Sequence, residues 1–371
     1  MIRYEPPGSR KIPFSISRSV TEVRRKRREL TYKRQTVGLV PTMGALHAGH
    51  VSLIRQAAQE NNNVYVSIYV NPTQFGVTED LSSYPRTWDN DIGILKKLSQ
   101  EFARRDDKFQ SLMVFAPETE TMYPGLPPTS EIAGEGSFVT ITPLATLLEG
   151  ASRPVFFRGV ATVVMKLLNI VQPDRVYFGQ KDIQQTVVIK RMVEDFHVDT
   201  EVRVGPTMRE KDGLAMSSRN VYLGKRRRAV GIVLSKALRA AAKAYANGST
   251  KRSDLLEAAQ QVLSSTLESQ RKLAPRERAL FEVDYISVAH PSFLTEVEDI
   301  GRREGAVLSG AIRMLPLEDV QEGEDTGQGD GVLPVRLIDN FMLYKADVLA
   351  GMTVNPQAVD EIGQLDSWGH S

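Results

Sequence analysis

From residue 36 onward, apolar and polar positions fall into alternating blocks. "TVGLV" is a short continuous apolar run, and "HVSLIRQAAQE" after it sets Val51, Ile54, Ala57 and Ala58 on one side of a helix. "VYVSIYV" reads as a strand, "WDNDIGILKKL" as a helix and "SLMVFAP" as a strand again. "GVATVVMKLLNIV" is a helix stopped near Pro173, followed by strand "RVYFGQK", helix "DIQQTVVIKRMVEDF" and strand "VDTEVRVGP". Strands alternating with crossover helices predict a parallel sheet with helices on both faces. Ligands of such sheets bind beyond the carboxyl ends of the strands. "PTMGALHAGH", "NPTQFG" and "GQKD" all fall at such ends.

The character changes after about residue 208. "KRRRAVGIVLSKALRAAAKAYANG" and "SDLLEAAQQVLSSTLES" are two long helical patterns. The β-like runs "FEVDYISVAH", "GAVLSGAIRML" and "VRLIDNFML" follow. The expected division is therefore an α/β domain over 1–207 and a smaller α+β domain over 208–371. Between the last two runs lies an acidic, glycine-rich stretch with almost nothing to bury, so residues 318–332 are expected to be a disordered loop. The tail after Asn355 is weakly patterned.

Composition narrows the function. The 371 residues suit two domains, and a net charge of +2 argues against a protein whose main task is gripping nucleic acid. The absence of cysteine excludes disulfides, a thiolate nucleophile, Cys-ligated zinc and an enzyme-bound thioester. No apolar stretch approaches the ~18 residues of a membrane span, and the N-terminus lacks the apolar core of a signal peptide. A cytoplasmic protein is expected. The basic "TEVRRKRREL" leaves mitochondrial targeting open, although a solvated helix with Val23 and Leu30 inward explains it.

The chemistry concentrates in a few segments. "VPTMGALHAGH" holds two of five histidines, His47 and His50, where a strand gives way to a helix. A helix N-terminus attracts phosphate, and Gly44 and Gly49 let the backbone come close to a ligand. The spacing matches neither a Walker loop nor G-x-G-x-x-G. Two histidines three apart share a helix face and can donate to charge developing on a phosphate. A capped turn is the structural alternative. Zinc is a third, but it needs about three protein ligands, and His197, His290 and His370 show no matching spacing. In "FGQKDIQQ", Lys181 suits a phosphate; Asp182 and Gln185 equally suit a helix N-cap and capping box. "MSSRN" offers Ser217, Ser218 and Arg219 as a triphosphate clamp. Asn71 and Gln74 are neutral groups able to orient a hydroxyl or carboxylate, and Arg153 is a candidate carboxylate clamp.

Each segment is weak alone, but their order is specific. His-x-Gly-His after the first strand and Met-Ser-Ser-Arg after the last match the two signatures of the adenylate-forming, nucleotidyl-transferring α/β superfamily. "PTMGALHAGHVSLIRQA", "VSIYVNPTQFG", "YPRTWDND", "VFAPETETMYP", "FRGVATVVMKLLNIVQPDRVYFGQKDIQQ" and "MREKDGLAMSSRNVYL" together closely resemble the pantoate–β-alanine ligase (pantothenate synthetase) family. The resemblance runs almost unbroken over about 36–224 and more loosely to about 350.

The resemblance implies a Rossmann-like, doubly wound parallel sheet carrying a smaller α+β C-terminal domain. It implies an enzyme joining (R)-pantoate to β-alanine with ATP, releasing AMP and pyrophosphate through pantoyl adenylate. By motif, Met43, Gly44, Ala45, Leu46, His47, Ala48, Gly49 and His50 line the ATP site, with His50 in the role the family gives a proton donor and His47 on the phosphates. Gly179, Gln180, Lys181 and Asp182 contact the nucleotide, and Met208, Met216, Ser217, Ser218 and Arg219 complete its site. Gln74 and Gln185 hold pantoate, with Asn71 and Arg153 as further members of the pantoate and β-alanine site. Magnesium is expected on the ATP phosphates rather than in a protein cage, with Asp91 reaching it at most through water. A homodimer is implied as well, with no nucleic-acid or membrane partner. The chain departs from the pattern at Phe156, where the family's "RPxHF" has histidine, and in extra residues near 99–111, near 318–332 and in the C-terminal tail. Those insertions point to a fungal member. A nucleotidylyltransferase that keeps AMP on its product is the rival within the superfamily, and "RRKRR" and "KRRR" motivate a nucleic-acid binder outside it.

Overall fold

The computed structural model describes residues 14–76, 81–105, 108–125, 135–301 and 303–344. The chain divides into two compact units after Gly205, where sequence placed the division after Thr207. Pro206 has no N–H to continue a strand ladder, so the last strand of the first unit ends at Gly205.

The first unit holds β1 (Phe14–Ser17), α1 (Val20–Tyr32), β2 (Val37–Thr42), α2 (Ala48–Glu60), β3 (Asn63–Ile68), α3 (Trp88–Arg105), β4 (Ser111–Phe115), the short α4 (Thr119–Met122) and α5 (Glu149–Ser152), α6 (Phe156–Val171), β5 (Arg175–Gly179), α7 (Ile183–Asp195) and β6 (Glu201–Gly205). Its six strands are all parallel, in the order β1-β4-β3-β2-β5-β6. From β2 the chain winds outward through β3 and β4. It then returns to the other side of β2 with β5 and β6, so β2 and β5 flank the point where strand order reverses. β2 pairs with β3 along its whole length but with β5 only at Gly38 and Leu39. The two strands therefore part toward their carboxyl ends, which is where a crevice opens in sheets of this kind.

Apolar periodicity places the helices. Leu53, Ile54 and Ala57 of α2 and Ile92, Leu95, Leu98 and Phe102 of α3 cover one face of the sheet, over Val40, Val64, Val66 and Val114. α6 packs between α1 and α7 on the other face, as right-handed crossovers require. Of the extra residues expected near 99–111, residues 99–105 form the last turns of α3. Leu95, Leu98 and Phe102 continue one helical stripe, and Phe102 meets Phe109 edge to face at 5.1 Å. Residues 106 and 107 lie outside the described residues, as does the tail from 345. The basic segment is α1, with Val23 fully buried and Arg27 turned back onto the Gln172 carbonyl and Asp174.

The second unit holds α8 (Gly224–Gly231), α9 (Val233–Ala246), α10 (Arg252–Arg271) and an antiparallel sheet β7-β8-β9 (Phe281–Ala289, Ala306–Met314, Val335–Leu343). Leu234, Leu238 and Ala241 of α9 and Leu255, Ala259 and Leu263 of α10 bury one face of that sheet. The stretch 318–332 is not the disordered loop expected. Gln328 N–H donates to the Val221 carbonyl at 2.9 Å, Lys225 N–H to Asp325 O at 3.0 Å, and Arg226 grips the Glu324 carboxylate through two nitrogens. Sequence reading found nothing in it to bury because the partners are arginines of α8, distant in sequence, not apolar residues of its own.

Candidate active site

The loop leaving β2 is held in an uncommon backbone path. Gly44 and Ala45 both have positive φ, +86° and +50°, and for an L-residue such a conformation costs roughly 1–2 kcal/mol. Asp91 of α3 offsets that cost. Its Oδ2 accepts from Ala45 N–H at 2.9 Å, its Oδ1 from Leu46 N–H at 2.8 Å and from the Thr87 hydroxyl at 3.1 Å. Asp91 is 1% exposed, and a Cβ on Gly44 would stand 3.1 Å from Oδ2. The carboxylate expected at most to meet magnesium through water is thus engaged on both oxygens by the loop. Among the described residues no group of three or more His, Asp or Glu is arranged to hold a metal ion.

His47 is the N-cap of α2 and His50 lies in its first turn. Nδ1 of His47 accepts from Gly49 N–H at 3.1 Å, and Nδ1 of His50 accepts from His47 N–H at 3.4 Å. The capping alternative therefore holds for these residues, and the cap uses only the Nδ1 atom of each ring. A ring nitrogen that accepts carries no proton, so each neutral imidazole keeps its hydrogen on Nε2, facing away from the helix backbone. Burial, reinforced at His47 by the Lys181 cation and at His50 by His47 and then Lys181, holds both rings neutral, with pKa values of about 4 and about 3. The rings lie 4.1 Å apart.

Lys181 and Asp182 follow β5, across the divergence from the histidines, and pair at 3.1 Å. Asp182 occupies the N-cap position of α7 but makes no side-chain cap bond, so the capping-box alternative for "DIQQ" does not hold. Gln184, not Gln185, is the structural glutamine. Its amide nitrogen donates to the carbonyls of Leu144 and Leu147 and its oxygen accepts from Glu149 N–H. Half-buried Gln185 makes no side-chain hydrogen bond to any described residue. Arg153 pairs with buried Glu149 at 3.0 Å, and its guanidinium lies 3.8 Å from the centre of the Phe156 ring. Phe156 thus offers an aromatic face to a cation.

Past β3, Asn71 is 1% exposed and uses its whole amide. Nδ2 donates to Gln74 Oε1 at 3.0 Å and Gly159 O at 3.2 Å, while Oδ1 accepts from Tyr123 at 2.7 Å and Thr73 at 3.1 Å. Asn71 therefore positions Gln74 and has no atom left for a substrate. With Oε1 so engaged, the buried Gln74 amide keeps its Nε2 as a donor, which among the described residues meets only the weak acceptor Met43 Sδ at 3.4 Å.

In the second unit, Met208 to Arg219 form a cross-braced turn. Met216 N–H donates to Met208 O at 2.9 Å and Glu210 N–H to Leu214 O at 2.8 Å. Arg209 makes a buried two-nitrogen bond to Asp339 of β9, at 2.6 and 2.8 Å. Arg228 binds Asp212 and Glu210. Ser217 Oγ accepts from Arg219 N–H at 3.2 Å, fixing the turn that presents Ser218 and Arg219.

Comparison with known proteins bears on this arrangement. A profile of the pantoate-beta-alanine ligase family matches residues 15–342. The chain is 42% identical to pantothenate synthetase of Chloroflexus aggregans over 330 residues, 89% of this chain and 100% of that one. The chain belongs to the pantoate-beta-alanine ligase family. It is 38% identical to the pantoate–beta-alanine ligase of Saccharomyces cerevisiae, over 89% of this chain and 99% of that one. The crystal structure of the Thermus thermophilus enzyme superposes with a TM-score of 0.69 at 37% identity, covering 89% of this chain and all of that one. The Francisella tularensis ligase, solved in complex with Beta-gamma ATP and beta-alanine, superposes at 0.61 with 31% identity, covering 89% of this chain and 98% of that one.

The ligase is thus an enzyme with a Rossmann-like sheet and a small antiparallel second sheet. Among its described residues no helix is long and apolar enough to cross a membrane. Within the first unit the structure gathers Met43 with Gln74 and Asn71, and His47 and His50 with Lys181. Met208 to Arg219 belong to the second unit. Sequence reading missed Tyr123, Gln184 and Asp339 and misread Asp91. Nothing local marks them, because each acts on backbone or side chains more than thirty residues away.

Proposed function

We propose that the ligase works through pantoyl adenylate. A pantoate carboxylate oxygen attacks the α-phosphorus of ATP, and the bond to the bridging β-phosphate oxygen breaks, releasing pyrophosphate. The β-alanine amine then attacks the acyl carbon, the bond from that carbon to the adenylate oxygen breaks, AMP leaves, and the amine proton passes to solvent. No protein nucleophile is required, in keeping with a cysteine-free chain. What the protein must supply is positioning and neutralisation of charge.

The observation that carries this reading is the pair of histidines whose Nδ1 atoms are both occupied by backbone N–H groups. Their Nε2–H groups are left as two fixed, uncharged donors at the carboxyl end of β2, suited to phosphate oxygens gaining charge. Lys181 adds a cation. His50 acts here as a hydrogen-bond donor, not as the proton donor that the family resemblance suggests. Gly44 to Gly49 and Gly179 to Asp182 cradle the nucleotide, and Met208, Met216, Ser217, Ser218 and Arg219 engage the triphosphate. Gln74 donates through Nε2 to a pantoate oxygen, and Gln185 offers a second amide. Arg153, held by Glu149 and Phe156, is an electrostatic member of the same site. Magnesium arrives with ATP on its phosphates, as part of the substrate. A homodimer in the cytoplasm is proposed on the family resemblance alone, and sedimentation velocity tests the assembly.

The test is a burst. Enzyme given ATP and pantoate without β-alanine should release pyrophosphate in one burst no larger than the number of active sites, with pantoyl adenylate retained. Pyrophosphate release that requires β-alanine would rule out the two-step order.

A further inference from the structure

The acidic segment 318–333 crosses the exit of the turn that carries Ser217, Ser218 and Arg219. It is stitched there by the two backbone bonds already described, Lys225 N–H to Asp325 O and Gln328 N–H to Val221 O. Between those stitches Gly224 and Gly327, both at positive φ, meet backbone to backbone. A Cβ at Gly327 would stand 2.6 Å from Gly224 N and from the Tyr222 carbonyl carbon. Beneath them lies Arg227, the largest fully buried side chain. Its guanidinium donates to Tyr222 O and Leu223 O on the turn side, and to Thr326 O at 3.2 Å and Leu333 O at 2.7 Å on the acidic side. Every acceptor is a backbone carbonyl, so the buried charge is satisfied only while both segments are in place. The link reaches the functional turn directly: Leu223 N–H donates to Asn220 O at 3.1 Å, and Asn220 N–H to Ser217 O at 3.0 Å. A shift of 221–224 therefore moves the residues that present Ser218 and Arg219.

We propose that segment 318–333 is a strap that positions Ser217, Ser218 and Arg219 toward the ATP triphosphate, with Gly327 and Arg227 as its positioning residues. The inference rests on reading that turn as a triphosphate contact. The strap acts by fixing the far end of the turn, as Asp339 fixes the near end through Arg209.

The test uses the full-length enzyme with Gly327→Ala and Arg227→Lys. Gly327→Ala forces the two backbones apart and should raise the ATP KM roughly 2- to 10-fold, the range of one or two lost hydrogen bonds. The pantoate KM and the aminolysis of supplied pantoyl adenylate should stay at wild-type values. Arg227→Lys, which keeps the charge with fewer donors, should shift the ATP KM in the same direction by less. If either variant fails to fold, Glu324→Gln, which loosens the Arg226 grip and leaves Gly327 and Arg227 in place, should still raise the ATP KM. A folded Gly327→Ala enzyme with unchanged ATP KM overturns the proposal, and so does an equal rise for ATP and pantoate. Arg219→Ala in the same assay separates the two levels. If Arg219→Ala leaves the ATP KM unmoved, the reading of the turn fails and the strap's role with it. If Arg219→Ala acts and Gly327→Ala does not, only the strap's role is lost.

Discussion

The backbone N–H of His47 donates to Nδ1 of His50 at 3.4 Å, and so decides which nitrogen of His50 can face a substrate. Both rings titrate well below the ordinary histidine value of 6.5, at about 4 and about 3. Adenylation should therefore be flat between pH 6 and 8, because neither ring changes charge there. A general acid with an ordinary histidine pKa would instead lose activity as pH rises through 6.5. The linkage to stability has a definite sign. In the unfolded chain both rings bind protons near 6.5, so below that value the unfolded state holds more protons and stability falls with falling pH toward 4. Urea midpoints at pH 7 and pH 5 should show a smaller drop for His50→Gln than for wild type; an equal drop would contradict the depressed value.

Removing the donor itself should be costly. His50→Ala should slow adenylate formation by on the order of 10²–10³ while the fold survives, the usual effect of losing one preorganised donor. Near-normal pyrophosphate release by a folded His50→Ala enzyme would remove His50 from the mechanism.

Asp91→Asn replaces one acceptor oxygen with an amide that cannot accept from a backbone N–H. Charge-assisted bonds of this kind contribute about 1.5–3 kcal/mol. Thermal or urea unfolding should show a loss of that order, and the ATP KM should rise more than the pantoate KM. A variant with unaltered stability and kinetics would mean that the loop from Gly44 to Leu46 holds its path without the carboxylate.

Gln74→Ala should raise the pantoate KM more than the ATP KM. Asn71→Asp, which removes the donor fixing Gln74 Oε1, should act in the same direction through Gln74. The double variant should then be little worse than Gln74→Ala alone, since residues acting through one contact are not additive. Fully additive effects would show that Asn71 and Gln74 work separately.

How far the sequence could be read depended on the range of the interactions. The alternation of "TVGLV", "VYVSIYV" and "RVYFGQK" with amphipathic helices made the parallel sheet legible, because period and chain order are local properties. The clustering of His47, His50 and Lys181 at strand ends was legible for the same reason. The extension of α3 was also written locally, in Leu95, Leu98 and Phe102, but was hidden by the charged residues between them. What stayed hidden needed pairing across the fold: Asp91 with the Ala45 backbone, Asp339 with Arg209, and the α8 arginines with an acidic stretch about a hundred residues on.

Arg219→Ala should suppress the pyrophosphate burst yet leave aminolysis of supplied pantoyl adenylate largely intact, because the second half-reaction has no triphosphate to hold. Equal slowing of both half-reactions would show that the Ser217 to Arg219 turn is not a triphosphate contact.

The most direct measurement is of AMP. Purified enzyme with magnesium, ATP, pantoate and β-alanine should release one AMP and one pyrophosphate for each pantothenate formed, with no sustained AMP release when either pantoate or β-alanine is left out. Release of ADP and phosphate, or a product that retains the AMP moiety, would contradict the adenylate route.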